Sequence, residues 1–393
     1  MRRITLGALV LALVTGFVAV FVVLDPWGGD GREGGPAGRS GKDQSAAQAD
    51  RRQEVYRIRD ARPMVEGEDY RLLHEIPGPI GYKTEAVLPD GDLVLVHRHR
   101  WRRGTGDGLP DLLQIWDPRT GQRETVPTRW PGGIASVTAT SATDIWATFG
   151  IPGTGYARKR AMVHFDRATG RATLHRMPEP AEAESRRHAE IPQVGGDGRI
   201  YFVTGSDFCY RTRCSTPDDR ELWSFDPADP GAVRREAGNV GYFGASKRLL
   251  AWVEPTENLE DDVVDLHVRP AGTNTVHTAR VPDCSDWYAG RPVQVADDLV
   301  LLSGCGRVYD ARARLLGELS IYGHDLTGMS DRWIAWGWTI WNPRTGRLLR
   351  TADDRVVWHQ RPVAMRGDVV VLPSLDGPRN TRNGTWRVVR LRR

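Results

Sequence analysis

Residues 114–127 read QIWDPRTGQRETVP, and the chain keeps returning to that phrase. Before the turn, Leu113 and Ile115 alternate with Leu112, Gln114 and Trp116, the period of an extended strand. Asp117-Pro118-Arg119-Thr120-Gly121 makes a tight turn, and a second short strand closes at Val126-Pro127. The phrase recurs at residues 162–178 (MVHFDRATGRATLHRMP), 222–238 (LWSFDPADPGAVRREAG) and 339–350 (TIWNPRTGRLLR), with weaker copies at 265–282 and 307–320. A strand pair cannot bury its apolar side alone, so many copies along one chain must stack against each other.

Each phrase follows another strand–turn–strand pair. These pairs are 84–88 with 93–97, 134–138 with 145–149, 191–194 with 200–204 and 240–243 with 249–253. They continue as 292–295 with 299–302, 325–328 with 333–336 and 362–365 with 369–372. Four strands per unit and seven units define an all-β, seven-bladed β-propeller over residues 68–393. Six or eight blades are the alternatives, because the fifth and sixth repeats are short. The last unit stops one strand early, at residues 385–391. Residues 70–77 (YRLLHEIP) supply the missing strand: Ile76-Pro77 matches the closing Val126-Pro127, Met177-Pro178 and Val281-Pro282. A ring closed this way leaves only short edges open to another chain. Trp116, Trp146, Trp223, Trp252, Trp341 and Trp386 fall inside strands and are expected to fill the wedges between blades.

Ile115-Trp116-Asp117 with Thr120-Gly121 resembles the end of a WD-type repeat, and residues 341–346 (WNPRTG) are similar to repeats of YVTN and quinoprotein-like propellers. The resemblance spans the repeats and implies the superfold; it implies no activity, because propellers host many unrelated functions. Gly323-His324 is a lone match to the Gly-His pair of WD repeats. Residues 141–146 (SATDIW) lack the spacing and the glycine of a sialidase Asp box.

Ahead of the repeats, residues 5–24 are an uncharged apolar run following Met1-Arg2-Arg3. At about 1.5 Å per residue such a helix crosses a bilayer core. Residues 1–25 are therefore read as a transmembrane signal anchor with the N-terminus in the cytoplasm and the propeller outside. Secretion after cleavage is the alternative, though the run ends in Val23-Leu24-Asp25-Pro26, a poor cleavage site. Residues 26–67, rich in Gly, Ser, Ala and charge, are expected to be a disordered tether. An even set of cysteines in an exported chain suggests two disulfides, Cys209 with Cys214 and Cys284 with Cys305. Their spacing does not form a zinc site.

Strand order sorts the connections. First-to-second and third-to-fourth turns share one end of the propeller and are tight. Second-to-third loops and blade-to-blade connections share the other end and are long, which makes that end the default binding surface. Three groups on it are candidate contacts. Trp101, Arg102 and Arg103, in the basic run 97–103, suit an anionic glycan, wall polymer or headgroup, or form a solvated loop. Phe208, Tyr210, Arg211 and Arg213 would be displayed on a loop stapled by Cys209 and Cys214. Trp287 and Tyr288 follow Cys284 and would stand near the channel mouth or pack.

No Gly-x-Ser-x-Gly, His-Glu-x-x-His or glycine-rich phosphate loop occurs, so no catalytic residue, metal or cofactor is assigned. The acidic loop Glu257, Glu260, Asp261, Asp262 lacks calcium-loop spacing. A formal charge of +4 is too mild for a nucleic-acid partner. The expectation is a membrane-anchored extracytoplasmic binding or scaffold module for a protein or cell-envelope polymer. The alternative is a propeller enzyme (hydrolase, lyase or quinoprotein-like) with its site in the central channel.

Overall fold

A computed structural model describes residues 55–77, 82–97, 112–127, 133–150, 160–181, 192–205, 220–255, 263–284, 293–320, 326–351, 364–373 and 385–393. They form seven sheets in chain order, with the four strands of each blade antiparallel. Blades I to VI comprise residues 82–125, 133–176, 193–238, 242–281, 293–320 and 326–350, and blade VII comprises 364–391 with residues 70–77. The protein is a seven-bladed β-propeller, and nothing helical but one turn of 3-10 helix, Ile58–Asp60, lies among the described residues. The innermost strand of blade VII touches that of blade I, so the ring is closed.

Alternation along each strand explains why the blades stack. In Leu93–His97, Leu93 and Leu95 join an apolar cluster with blade VII, whereas Val94 and Val96 join a cluster with blade II. Seven such clusters occur, each shared by two neighbouring blades. Both sides of a blade are covered, so second strands are continuous apolar runs such as Ile200–Thr204 and Leu299–Leu302. The wedge tryptophans Trp116, Trp146, Trp223, Trp252 and Trp341 are buried, and Trp386 packs against the VII–I cluster.

The recurring phrase is the chemistry of the third-to-fourth turn. The Asp117 carboxylate accepts the Arg119 amide at 2.8 Å, two residues on. Asp166, Asp226, Asp310 and Asn342 take the same bond from Ala168, Ala228, Arg312 and Arg344 at 2.8–3.0 Å. An Asx turn is thus built into five blades.

Three N-terminal strands precede blade I: β1 (Val55–Arg57), β2 (Arg62–Pro63) and β3 (Tyr70–Pro77). β3 pairs antiparallel with Thr385–Leu391, from Tyr70 opposite Leu391 to Pro77 opposite Thr385, and closes the ring as expected. β1 and β2 correct the reading of residues 26–67 as tether throughout. β1 pairs parallel with the outer strand of blade V, Leu315–Ser320, and β2 with that of blade VI, Leu348–Arg350. A polar, charged segment gains order here by completing the backbone hydrogen bonds of two sheet edges, which composition does not register. The strap is pinned by Asp69, whose side chain is fully buried. Its carboxylate accepts two bonds from Arg62, at 2.5 and 2.6 Å, one from the Val65 amide at 2.9 Å and one from Arg347.

Candidate functional site

The strand order places the long connections at one end, running from His97 to Leu112, Gly150 to Arg160, Arg176 to Gln193, Thr204 to Glu221, Arg350 to Ala364 and Pro373 to Thr385. Trp101, Arg102, Arg103, Phe208, Tyr210, Arg211, Arg213, Trp287 and Tyr288 all lie outside the described residues, as do Cys209, Cys214 and residues 257–262. The roots of these connections are described. Cys284 and Cys305 form a disulfide that ties the exit of blade IV to the second-to-third turn of blade V. At the foot of the Thr204–Glu221 connection, Arg220 is fully buried. Its guanidinium donates to the Val240 carbonyl at 2.8 Å and the Gly241 carbonyl at 2.6 Å, and lies 5.8 Å from the Tyr242 ring centroid. That arginine holds the stem of the loop onto the next blade.

The tight-turn end is charged and pinned between blades. Arg167 of blade II reaches Asp90, Asp92 and Glu124 of blade I at 3.2, 2.7 and 3.0 Å. Arg344 of blade VI reaches Asp298 of blade V at 2.6 Å. Every first-to-second turn except that of blade IV carries an aspartate: Asp90, Asp144, Asp197, Asp297, Asp331 and Asp368. Arg366 of blade VII stretches to the Ala139 carbonyl of blade II at 3.2 Å. Burial pulls its pKa down, and the charges of Asp297, Asp331 and Asp90 oppose that shift. Burial also pushes the Asp331 carboxyl up, reinforced by Asp297, Asp368 and Asp298.

Between blades III and IV this end opens into a groove enclosing about 130 Å³. Its wall on blade III is the turn Gly195-Gly196-Asp197-Gly198, pressed so close to blade IV that a Cβ on Gly196 would lie 1.4 Å from the Lys247 carbonyl oxygen. The floor is a continuous polar chain. The Tyr201 hydroxyl donates to Asp197 at 2.7 Å and accepts from Arg269 at 3.3 Å. Arg269 pairs with Glu236 at 2.7 Å, and Glu236 accepts the Ser224 hydroxyl at 2.5 Å. Arg199 donates to Ser224 at 2.8 Å. Burial, then the Asp197 carboxylate, raises the Tyr201 pKa far above that of free tyrosine, so this phenol stays protonated. Sequence reasoning passed over the groove, since Tyr201 and Arg269 stand 68 residues apart. The one available signal was the run of glycines around Asp197.

No family model matches the chain, and no curated protein matches it. Solved structures do, at low scores. A Thermus thermophilus protein provisionally assigned as an oxidoreductase (glucose dehydrogenase) aligns at 15% identity, covering 82% of this chain and 99% of that one, with a TM-score of 0.37. A Pyrococcus horikoshii acylaminoacyl peptidase aligns at 8% identity over 75% of this chain and 41% of its own, TM-score 0.37. The β-propeller domain of the Trilobed protease from Pyrococcus furiosus gives 11% identity, 75% and 77% coverage, TM-score 0.37. Scores this low add nothing to the strand pairings, which establish the seven-bladed propeller on their own.

Proposed function

We propose that the chain is a membrane-anchored extracytoplasmic binding module that offers its long-loop end to a protein or cell-envelope polymer. The observation that carries this reading is the direction of β1. Fourth strands run from the tight-turn end toward the long-loop end, and β1 lies parallel to the fourth strand of blade V. Val55 lies opposite Glu318 in mid-strand and Arg57 opposite Ser320 at its end, so β1 itself heads toward the long-loop end. A chain held through residues 5–24 would present that end away from the bilayer. The Cys284–Cys305 disulfide fits an oxidising compartment outside the cytoplasm. Stacked blades with their long connections at one end are the arrangement recognition surfaces use.

Photo-crosslinking of the full chain in its own membrane tests this. Crosslinkers at positions 101 and 210 should capture a reproducible partner, and one at Asn274, on the opposite end, should not. Replacing Trp101, Tyr210 and Arg211 with alanine should release that partner. Capture only from position 274, or no adduct together with turnover of an envelope-derived substrate, overturns the reading.

A further inference from the structure

We propose that the groove between blades III and IV is a second site, binding a small anion through a phosphate or carboxylate group. The charge balance comes first. Arg199, Arg234 and Arg269 face it with only Asp197 and Glu236, leaving one positive charge in excess. Both carboxylates are already occupied: Asp197 by the Tyr201 hydroxyl and the Arg199 amide, Glu236 by Ser224, Arg269 and, at 3.5 Å, Arg234. An incoming cation would have to displace those donors.

Donors, by contrast, are left over. A guanidinium carries five N–H groups. Arg234 approaches Glu236 only through Nε, and its two terminal nitrogens bond no described residue. Arg199 uses Nε and one terminal nitrogen, on Ser224 and the Ala232 carbonyl. The Asn274 amide, on the rim, bonds no described residue. Planar forks with unused N–H groups match the oxygens of a carboxylate or phosphate.

The surroundings agree. Blade IV is the blade whose first-to-second turn lacks an aspartate; it carries Ser246-Lys247-Arg248 instead. The acidic pattern of this end is therefore interrupted beside the groove. The site is also built in advance: Glu236 is 1% exposed and Arg269 11% exposed, held by Tyr201 and Ser224 before any ligand arrives. The enclosed space of about 130 Å³ is far more than one water needs.

Full-length protein titrated with inorganic phosphate or with acetate, at ionic strength held constant with chloride, tests the proposal through calorimetry and melting temperature. Saturable binding of one anion per chain, with Kd on the order of 1 mM, is expected. Arg234→Glu and, independently, Asn274→Asp should weaken it about tenfold or more. Both side chains stand at the surface, so neither change should prevent folding. Arg332→Ala, on blade VI, should leave it unaltered. Tighter phosphate than acetate assigns the group as a phosphate ester, and the reverse as a carboxylate. Absence of saturation up to about 50 mM, equal binding by Arg234→Glu, or binding of glycerol in place of either anion overturns it. None of these results depends on which partner the long-loop end recruits.

Discussion

The Tyr56 ring centroid lies 5.3 Å from that of Trp341, the planes tilted by 47°. A residue of the polar N-terminal stretch thus covers a tryptophan buried between blades V and VI. The fit requires glycine beneath it: Gly346 has φ +72°, and a Cβ there would meet the Tyr56 hydroxyl at 2.5 Å. Three of the four strands of blade VI are only three residues long, so it gains much from an added edge strand.

Tyr56→Ala should therefore destabilise the propeller by about 2 kcal/mol, the scale of a partly buried aromatic removed from a packed contact. Urea unfolding followed by tryptophan fluorescence reads it directly. Truncation before residue 70, which spares β3, should lower the unfolding midpoint yet keep a cooperative transition. Extending the truncation through Pro77 should abolish that cooperativity, since it removes the fourth strand of blade VII. A truncation through Pro77 that melts like the full chain would disprove closure.

Acid should loosen the strap. Burial alone would push the Asp69 carboxyl up, but hydrogen bonds from Arg62, the Val65 amide and Arg347 win and bring it from 3.8 to about 2. A carboxyl lowered in the folded state contributes stability above the unfolded pKa, and that contribution is lost as pH falls from about 4 toward 2. The amount is about 2 kcal/mol. In Asp69→Asn the loss of stability across that window should be shallower by this amount, as denaturant midpoints at successive pH values would show.

Burial lowers the pKa of His175, with the neighbouring His164 adding to the effect. A histidine kept neutral by the fold favours the folded state less as pH drops below its unfolded value of 6.5. His175→Leu should flatten the stability profile just below that value, a window separate from that of Asp69.

Reduction of Cys284–Cys305 opens a link spanning 21 residues. Chain-entropy reasoning puts its contribution at about 3 kcal/mol. The double change to serine should lower the unfolding midpoint in oxidising buffer, and dithiothreitol should then have no effect through this pair. An unchanged midpoint would show that blades IV and V hold without it.

Two glycines in one turn should behave differently. Gly196→Ala drives a methyl into the Lys247 carbonyl of the next blade, so blades III and IV must part and the cost should reach about 3 kcal/mol. Gly198 has φ +78° with nothing within 4 Å of a Cβ, so Gly198→Ala meets only backbone strain of about 1 kcal/mol. Thermal melts of the two variants compare them side by side.

The blades are legible in the repeats alone, because each repeat writes its own local chemistry. An Asx turn needs Asp117 and Arg119 two residues apart, and strand period two needs only neighbours such as Leu93, Val94 and Leu95. Closure by residues 70–77 was legible too, since Ile76-Pro77 carries the same ending as the fourth strands of other blades. The strap and the groove emerge only once the chain is folded. Arg347 meets Asp69 across 278 residues, and Arg269 meets Glu236 from the adjoining blade. Such contacts arise where rigid blades come side by side, and a repeat that specifies each blade alone does not encode which side chains face one another across the seam.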